Sequence, residues 1–518
     1  MITLDLSGRI DSNNAAQVEA DILAQLDGRD DPEVVVNVAG LEYISSAGLR
    51  ILLRLRKAHP GMKIINAGFE VFGILEMTGF TEMMPVERAY WNVSIEGCEE
   101  IGHGANGTVY RLAQDAVVKV YNKDIELTRI LNERETAKRA LILGIPTAIS
   151  YNVVKVGDRY GSVYELLNAR SFSKLIATEP GKLDWCVGEY VKLLKTIHGT
   201  RVPAGKLPDM KETVISWATF MRDYLPEDAA DKLLNLVDEV PYDDHLIHGD
   251  YHTRNLQLQN DEVFLIDMDT LSVGNPIFEL AGIFNSFIGF YEMDHEAVKA
   301  FQGYDYETAE AFWRKALAAY LGTACKTKLR EVEDKARIIG YTRLIRRSIR
   351  RKGLETEAGR AEIEHWKAEL LELLEKTDTL LFDPNELDIV AEDENLDEVQ
   401  AFVEERLADS GCSMKAQMQI AVVVEEVFIN IAHYAYAPDT GRAKLNTEIS
   451  GDPRAITITF TDRGIPYDPL AKPDPDLSLP ASEREIGGLG ILMTKKFMDD
   501  VSYEYRDGQN VLSLTKNL

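Results

Sequence analysis

The stretch "HGDYHTRN" runs from His248 to Asn255, and "VFLIDMDT", Val263 to Thr270, follows soon after. Together they set two carboxylates, Asp250 and Asp267, around one amide, Asn255. Such a constellation is hard to obtain by chance. His252 and Asp269 read as supports of the other three. Upstream, "EEIGHGANGTVYRL" (Glu99 to Leu112) spaces Gly102, Gly104 and Gly107 as GxGxxG. Alone that pattern is a weak signal, which fits several nucleotide folds or a plain loop. A dinucleotide-binding unit would place a helix directly after the glycines and an acidic residue about 20 positions later. Here a strand, "AVVKVY", follows instead and carries Lys119; a helical stretch, "ELTRILNERETAKRALILG", comes next.

Glycine loop, strand and strand-borne lysine, in that order, is the kinase arrangement. In that chemistry Lys119 binds the α- and β-phosphates of ATP and pairs with a helical carboxylate, for which Glu135 is the first choice and Glu133 the alternative. Asp250 orients or deprotonates the acceptor hydroxyl, while Asn255 and Asp267 hold Mg²⁺ on the nucleotide phosphates. The segment resembles the aminoglycoside phosphotransferase (APH)-like branch of the protein-kinase superfamily, which has HGDxHxxN where protein kinases have HRDxxxxN. That resemblance implies a bilobal protein-kinase-like fold. There is no DFG triplet and no APE, so a small hydroxyl-bearing molecule is the implied acceptor. The family's acceptors include antibiotics, choline and sugars, and the residues do not choose among them. "RLIRRSIRRKG", Arg343 to Gly353, is basic within an acidic chain. It reads either as a solvated face or as a recruiter of an anionic substrate or partner.

A second nucleotide-like pattern lies near the end. "EEVFINIAHYAY" puts Glu426, Asn430 and His433 at i, i+4 and i+7 of an apolar helix, hence on one face. Polar groups on such a face need partners, because leaving them unpaired is costly. "FTDRGIP" ends a strand with Asp462 and Gly464, and "GGLGILM" opens a helix with Gly487, Gly488 and Gly490, which suits phosphates at a helix N-terminus. These resemble the N, G1 and G2 boxes of the GHKL (Bergerat) fold, an ATP-binding α/β sandwich, and more narrowly the anti-sigma-factor serine kinases. The resemblance implies that Glu426 is the catalytic base, Asn430 a Mg²⁺ ligand, Asp462 the reader of adenine and the glycines the frame of a lid. Pro466 stands where many members have a second glycine.

At the other end, "ITLDLSGRID", "EVVVNVAG" and "MKIINAG" read as strands alternating with helices "NNAAQVEADILAQL" and "AGLRILLRLRKA". This alternation argues for a small α/β domain. "VVVNVAGLEYISSAGLRILL" resembles the STAS domain of anti-sigma-factor antagonists, and on that resemblance Ser46 is the phosphoacceptor. Ser45 stands where many members have aspartate, and a serine at a helix start also serves as an ordinary N-cap.

The domains expected are 1–92 (STAS), 96–378 (APH-like kinase) and 388–518 (GHKL serine-kinase-like). They sum to a multidomain α/β and α+β chain. Its 518 residues agree with a prior of about 150 residues per domain. Fifty-seven basic against 85 acidic side chains give a formal charge of −28, which argues against direct nucleic-acid binding and a polybasic membrane surface. No apolar run is expected to approach the roughly 20 residues that span a bilayer. Cys98, Cys186, Cys325 and Cys412 are too scattered for zinc or a disulfide framework, so a reduced, cytoplasmic protein is expected.

The leading reading is a partner-switching signalling phosphotransferase with two ATP sites. Its C-terminal domain phosphorylates a STAS serine, in cis at Ser46 or in trans, and its middle domain senses or modifies a small hydroxyl-bearing molecule. STAS-domain or sigma-factor-like regulatory proteins are the expected partners, and a homodimer is open to such a chain. The alternatives are a small-molecule phosphotransferase regulated by its flanking domains and a nucleotide-binding scaffold without catalysis.

Overall fold

The computed structural model describes residues 1–27, 33–104, 106–408, 410–451, 454–471 and 489–518. It divides into two compact units, Met1–Arg139 with Ala148–Leu167, and Ala140–Thr147 with Asn168–Leu518.

The first unit opens with a four-stranded parallel sheet in the order β1 (Ile2–Ile10), β2 (Val34–Ile44), β3 (Lys63–Ala67), β4 (Val86–Arg88). Parallel strands need crossovers, here helices Ala15–Leu26, Ser46–Ala58 and Phe69–Met77. Leu4, Val34, Val36 and Ile64 from the sheet and Ile51, Leu52 and Leu55 from a helix share one apolar core. The same unit holds an antiparallel sheet in the order β5 (Glu100–Gly104), β6 (Gly107–Arg111), β7 (Ala116–Tyr121), β9 (Arg159–Glu165), β8 (Ser150–Val156). The glycine loop is the β5–β6 turn, and β7 carries Lys119.

The second unit begins with a largely helical body. Five short strands in two small sheets frame its working loop: β10 (Arg170–Ser171), β11 (Leu246–Ile247), β12 (Leu256–Gln259), β13 (Glu262–Leu265) and β14 (Ser272–Val273). Its longest helix, Lys326–Arg350, starts where helix Leu396–Leu407 docks. There the Glu398 carboxylate accepts bonds from the Thr327 N–H (2.7 Å) and Thr327 hydroxyl (3.0 Å). Arg406 donates to the Gly322 carbonyl at 2.6 Å. Beyond this joint lies an antiparallel sheet in the order β15 (Glu386–Val390), β16 (Arg442–Ser450), β17 (Ala455–Asp462), β19 (Gln509–Asn517), β18 (Asp500–Arg506). Helices Leu396–Leu407, Met414–Asn430 and Leu489–Phe497 accompany it.

One expectation needs correcting. Met414–Ala435 is, by length and composition, long and apolar enough to cross a bilayer. In the structure its Ile420, Val423, Val424 and Phe428 pack with Leu445, Ile458 and Phe460 of the sheet, so its hydropathy serves a protein core.

Candidate functional site

In the glycine loop, only Gly107 is held by close approach. A Cβ there would overlap the Val120 carbonyl oxygen and lie 2.9 Å from the Tyr121 Cα, whereas at Gly102 and Gly104 no heavy atom comes nearer than 3.8 Å. Lys119 Nζ meets Glu133 Oε1 at 2.7 Å, both largely shielded from solvent. Glu133 also accepts the Tyr164 hydroxyl at 3.2 Å. The preference for Glu135 is therefore corrected. Two positions along a helix is a rotation of about 200°, so the two glutamates point opposite ways. Glu133 shares the buried face with Ile130 and Ala137, while Glu135 is 47% exposed and lies 3.4 Å from Arg134. That apolar period was the available signal. Burial, and next the Glu133 charge, push the Tyr164 phenol up to about 12.

In the second unit, the loop His248–Asn255 joins β11 to β12. Gly249 has φ +82, and a Cβ there would sit 2.8 Å from the Thr270 carbonyl, so backbone conformation and space both require glycine. Glu279, fully buried and missed in the sequence, accepts the backbone N–H groups of His248 and of Gly249, the latter at 2.9 Å. His198 Nε2 lies 3.9 Å from Glu279.

Asp250 Oδ2 lies 3.5 Å from His252 Nε2. Burial works to raise the Asp250 carboxyl, but the bond and charge of His252, with help from His248 and Arg343, outweigh it and hold the group at about 2. Asn255 Nδ2 donates to the Asp250 carbonyl at 3.0 Å, and the Ile266 N–H donates to the Asn255 carbonyl at 2.9 Å. The β12–β13 hairpin, paired Leu256↔Leu265, thus brings Asn255 alongside the segment that carries Asp267. Asp267 is exposed, and its φ of 66 is left-handed. A non-glycine residue rarely adopts that geometry, and where it occurs it clusters at working sites. An amide and a carboxylate held side by side are oxygen donors suited to Mg²⁺.

In the C-terminal sandwich, Asn430 Nδ2 donates to Glu426 Oε1 at 2.8 Å, one helical turn apart. A Cβ on Gly490 would coincide with the Glu426 carboxyl group, so the start of helix Leu489–Phe497 lies directly on that carboxylate. Gly487 and Gly488 lie outside the described residues, as does the whole lid stretch 474–486. Asp462 is buried, and its Oδ1 accepts the Gly464 N–H (2.9 Å) and the Asn510 amide (2.8 Å). A Cβ on Gly464 would collide with the Ala435 carbonyl. Asn510 faces Asp462 across β17 and β19 and also accepts the Tyr503 hydroxyl at 2.7 Å. His433 turns to Asp393 instead, at 2.8 Å; it lies within a π-helical turn, Ile431–Ala435, that follows the regular helix.

Ser46 opens helix Ser46–Ala58 and is exposed; Ser45 is the N-cap residue but makes no side-chain cap bond, and its buried Oγ has no hydrogen-bond partner among the described residues. Gly48 is wedged in, with Ile44 Cγ1 2.6 Å and Ile10 Cγ2 2.8 Å from where a Cβ would be.

These parts define the class: a serine-bearing α/β domain, a protein-kinase-like middle and an ATP-binding α/β sandwich in one chain. Family models match accordingly: "Mlab, STAS domain" over residues 1–85, "Phosphotransferase enzyme family" over 97–315 and "Histidine kinase-like ATPase domain" over 389–516. Two relatives come from Bordetella bronchiseptica. One, named as an anti-sigma factor antagonist, BtrV, is 36% identical over 90 residues, covering 17% of this chain and 77% of the relative. The other, the serine/threonine-protein kinase BtrW, is 28% identical over 105 residues, covering 20% of this chain and 73% of the relative. The chain therefore belongs to the anti-sigma-factor-antagonist (STAS) family and extends it as a fusion with APH-like and GHKL-type kinase domains. It is an ATP-dependent phosphotransferase of partner-switching architecture.

Among solved structures, an aminoglycoside phosphotransferase APH(4)-Ia mutant in apo form is 12% identical, covering 54% of this chain and 94% of that one, with a TM-score of 0.37. ADP-bound APH(2'')-Ib is 16% identical with the same coverages and a TM-score of 0.38. A choline/ethanolamine kinase family protein from Mesorhizobium loti is 15% identical, covering 54% and 88%, at 0.35.

Proposed function

We propose that residues 388–518 are a serine kinase whose acceptor is a STAS serine, Ser46 of this chain or its counterpart on a separate protein. The observation that carries this reading is the Glu426–Asn430 pair, capped by Gly490. Glu426 takes the proton from the serine Oγ, the oxygen attacks the γ-phosphorus of ATP, and ADP leaves with the bonding electrons. Asn430 would hold Mg²⁺, which when bound neutralises phosphate charge. Among the described residues the side-chain bonds of Asp462 run through Oδ1, to Gly464 and Asn510, which suits Oδ2 to the adenine amine. Phosphate on the exposed Ser46 would add nearly two negative charges at a partner-facing surface. Regulatory STAS or sigma-factor-like proteins would read that change.

For residues 96–378 we infer phosphoryl transfer to a small hydroxyl-bearing molecule. Asp250 is the base there, Asn255 and Asp267 are the Mg²⁺ ligands, and Lys119, positioned by Glu133, is a phosphate ligand. Residues 1–92 are the switched domain. The setting is the reducing cytoplasm, in keeping with four free cysteines. The test of the serine-kinase reading is transfer of label from γ-labelled ATP to the purified chain or to an added STAS domain. Labelling of either that Glu426→Ala abolishes supports it. Absence of label on both, or label indifferent to Glu426→Ala, overturns it.

A further inference from the structure

The basic stripe Arg343, Arg346, Arg347 and Arg350 lies on helix Lys326–Arg350 at i, i+3, i+4 and i+7. A solvated charged face would be exposed and interleaved with carboxylates. Neither holds here. Arg343, Arg346 and Arg347 are half-buried, and only Arg350 is exposed. Each is laid on an aromatic ring: Arg343 5.6 Å from the centroid of Trp217, Arg346 5.8 Å from Phe220 and Arg347 4.4 Å from Phe290. Among the described residues none of the three makes an ion pair with a carboxylate. Two turns earlier on the same helix, Arg337 meets Glu369 at 2.7 Å and Asp334 at 3.4 Å. Among the described residues, the one carboxylate whose charge is felt by Arg343 and Arg347 is Asp250, and it forms no ion pair with either.

Half-burying a cation without an ion-paired carboxylate is costly. Burial lowers the affinity of Arg347 for its proton, and the like charges of Arg351 and Arg343 add to that. Aromatic stacking fixes a guanidinium plane and leaves its N–H edge free for a bidentate anion. The stripe also reaches the candidate reaction centre. Arg343 Nη1 is 3.5 Å from the carbonyl of Gly249, next to Asp250, and the charges of Arg343 and Arg347 interact with Asp250. On the other side of the loop Arg254 lies 4.6 Å over Phe301.

Resting on the reading of Asp250 as the base, we propose that the middle domain takes an anionic, hydroxyl-bearing small molecule as acceptor, with its phosphate or carboxylate group held by Arg343 and Arg347. The acceptor hydroxyl gives its proton to Asp250, its oxygen bonds to the γ-phosphorus of ATP, and the bond to the leaving ADP breaks. The arginines offset the repulsion between the acceptor's anion and the Asp250 carboxylate. They also set which hydroxyl faces that carboxylate.

The test uses the full chain saturated with Mg²⁺ and a non-hydrolysable ATP analogue, so that phosphate subsites of the nucleotide are filled. Tryptophan fluorescence is titrated with inorganic phosphate, glucose 6-phosphate, gluconate, glucose and choline. Saturable binding of an anion, at least ~10-fold tighter than glucose and weakened by salt, is expected. Glucose 6-phosphate against gluconate tells a phosphate from a carboxylate site. Arg343→Gln and Arg347→Gln should each weaken anion binding ~10-fold or more while nucleotide affinity holds, and Arg347→Lys should restore it only in part. Unchanged thermal unfolding of Arg347→Lys separates these losses from misfolding. Choline binding in preference to the anions, no saturable anion binding, or binding indifferent to both glutamine variants overturns the proposal. ADP release from the same probes with ATP in place of the analogue keeps the two readings apart. Asp250-dependent turnover of choline or glucose alone sinks the anionic acceptor and leaves the transfer reading intact. Arginine-dependent anion binding with no turnover of any probe supports the site and counts against transfer.

Discussion

At the residue scale, the proposed chemistry of the C-terminal site rests on two side chains, Glu426 and Asn430, and the backbone of Gly490. Glu426 has one oxygen bonded to Asn430, and the Gly490 backbone is pressed on its carboxyl. General-base assistance is worth roughly 10²–10⁴-fold, so Glu426→Ala should cut serine labelling by about that factor while ATP still binds by calorimetry. Asn430→Ala should weaken Mg²⁺-dependent ATP binding as well. Gly490→Ala puts a methyl where the Glu426 carboxyl lies, and should lose activity comparably although Glu426 is intact. In the middle site, Asp250 is held at about 2. A base must be ionised to accept a proton, so Asp250 as the proposed base should impose no acid limb on kcat/KM in ordinary buffers. His252→Asn removes the main lowering influence and leaves burial dominant, so the Asp250 limb should move to higher pH. A profile unchanged by His252→Asn would show that His252 does not set this carboxyl. Much of this was legible in the sequence, because Asp250, Asn255, Asp267, Glu426 and Asn430 lie within short motifs. Asn510 was not. Its partner Asp462 is 48 residues away in the chain, and only the β17–β19 register makes them neighbours.

At the element scale, helix periodicity decided what the motif left open. Glu133 rather than Glu135 meets Lys119 because Ile130 and Ala137 turn that face inward. The basic helix shows the reverse problem. Its arginine spacing was plain, but the rings beneath it come from Trp217, Phe220 and Phe290, distant in sequence, so exposure could not be read. The joint between helices Leu396–Leu407 and Lys326–Arg350 was also hidden. Glu398 caps the second helix from outside, beside the Cys325 Sγ that accepts the Lys328 N–H, and neither is a preferred N-cap residue type that a sequence would announce. Burial works to raise its carboxyl, but the Thr327 and Cys325 donors outweigh it and keep the group below its ordinary range. Such a carboxylate contributes stability above the unfolded-state value of about 4.3 and loses it as pH falls through the lower folded value. Glu398→Ala should therefore cost about 1–2 kcal/mol at neutral pH. The difference in Tm from the parent chain should shrink below about pH 4.

At the scale of the whole molecule, one chain joins a STAS domain to two kinase-type domains, and each could be read from its own motifs. What the motifs could not give is the direction of transfer, because Ser46 and Glu426 belong to different compact units. If the reaction runs within one chain, its rate constant is independent of protein concentration. If it runs between chains, the rate rises on concentration, and a ten-fold dilution series of the full chain separates the two. The central claim is that Glu426 drives phosphorylation of a STAS serine. The most direct measurement is mass-spectrometric mapping of the phosphorylated residue after incubating the full chain with Mg²⁺ and ATP, with and without an added STAS domain, beside Ser46→Ala and Glu426→Ala. The account predicts phosphoserine at Ser46, or at the corresponding serine of the added domain, and none in Glu426→Ala. Phosphate found only elsewhere, or phosphoserine that persists in Glu426→Ala, would contradict it.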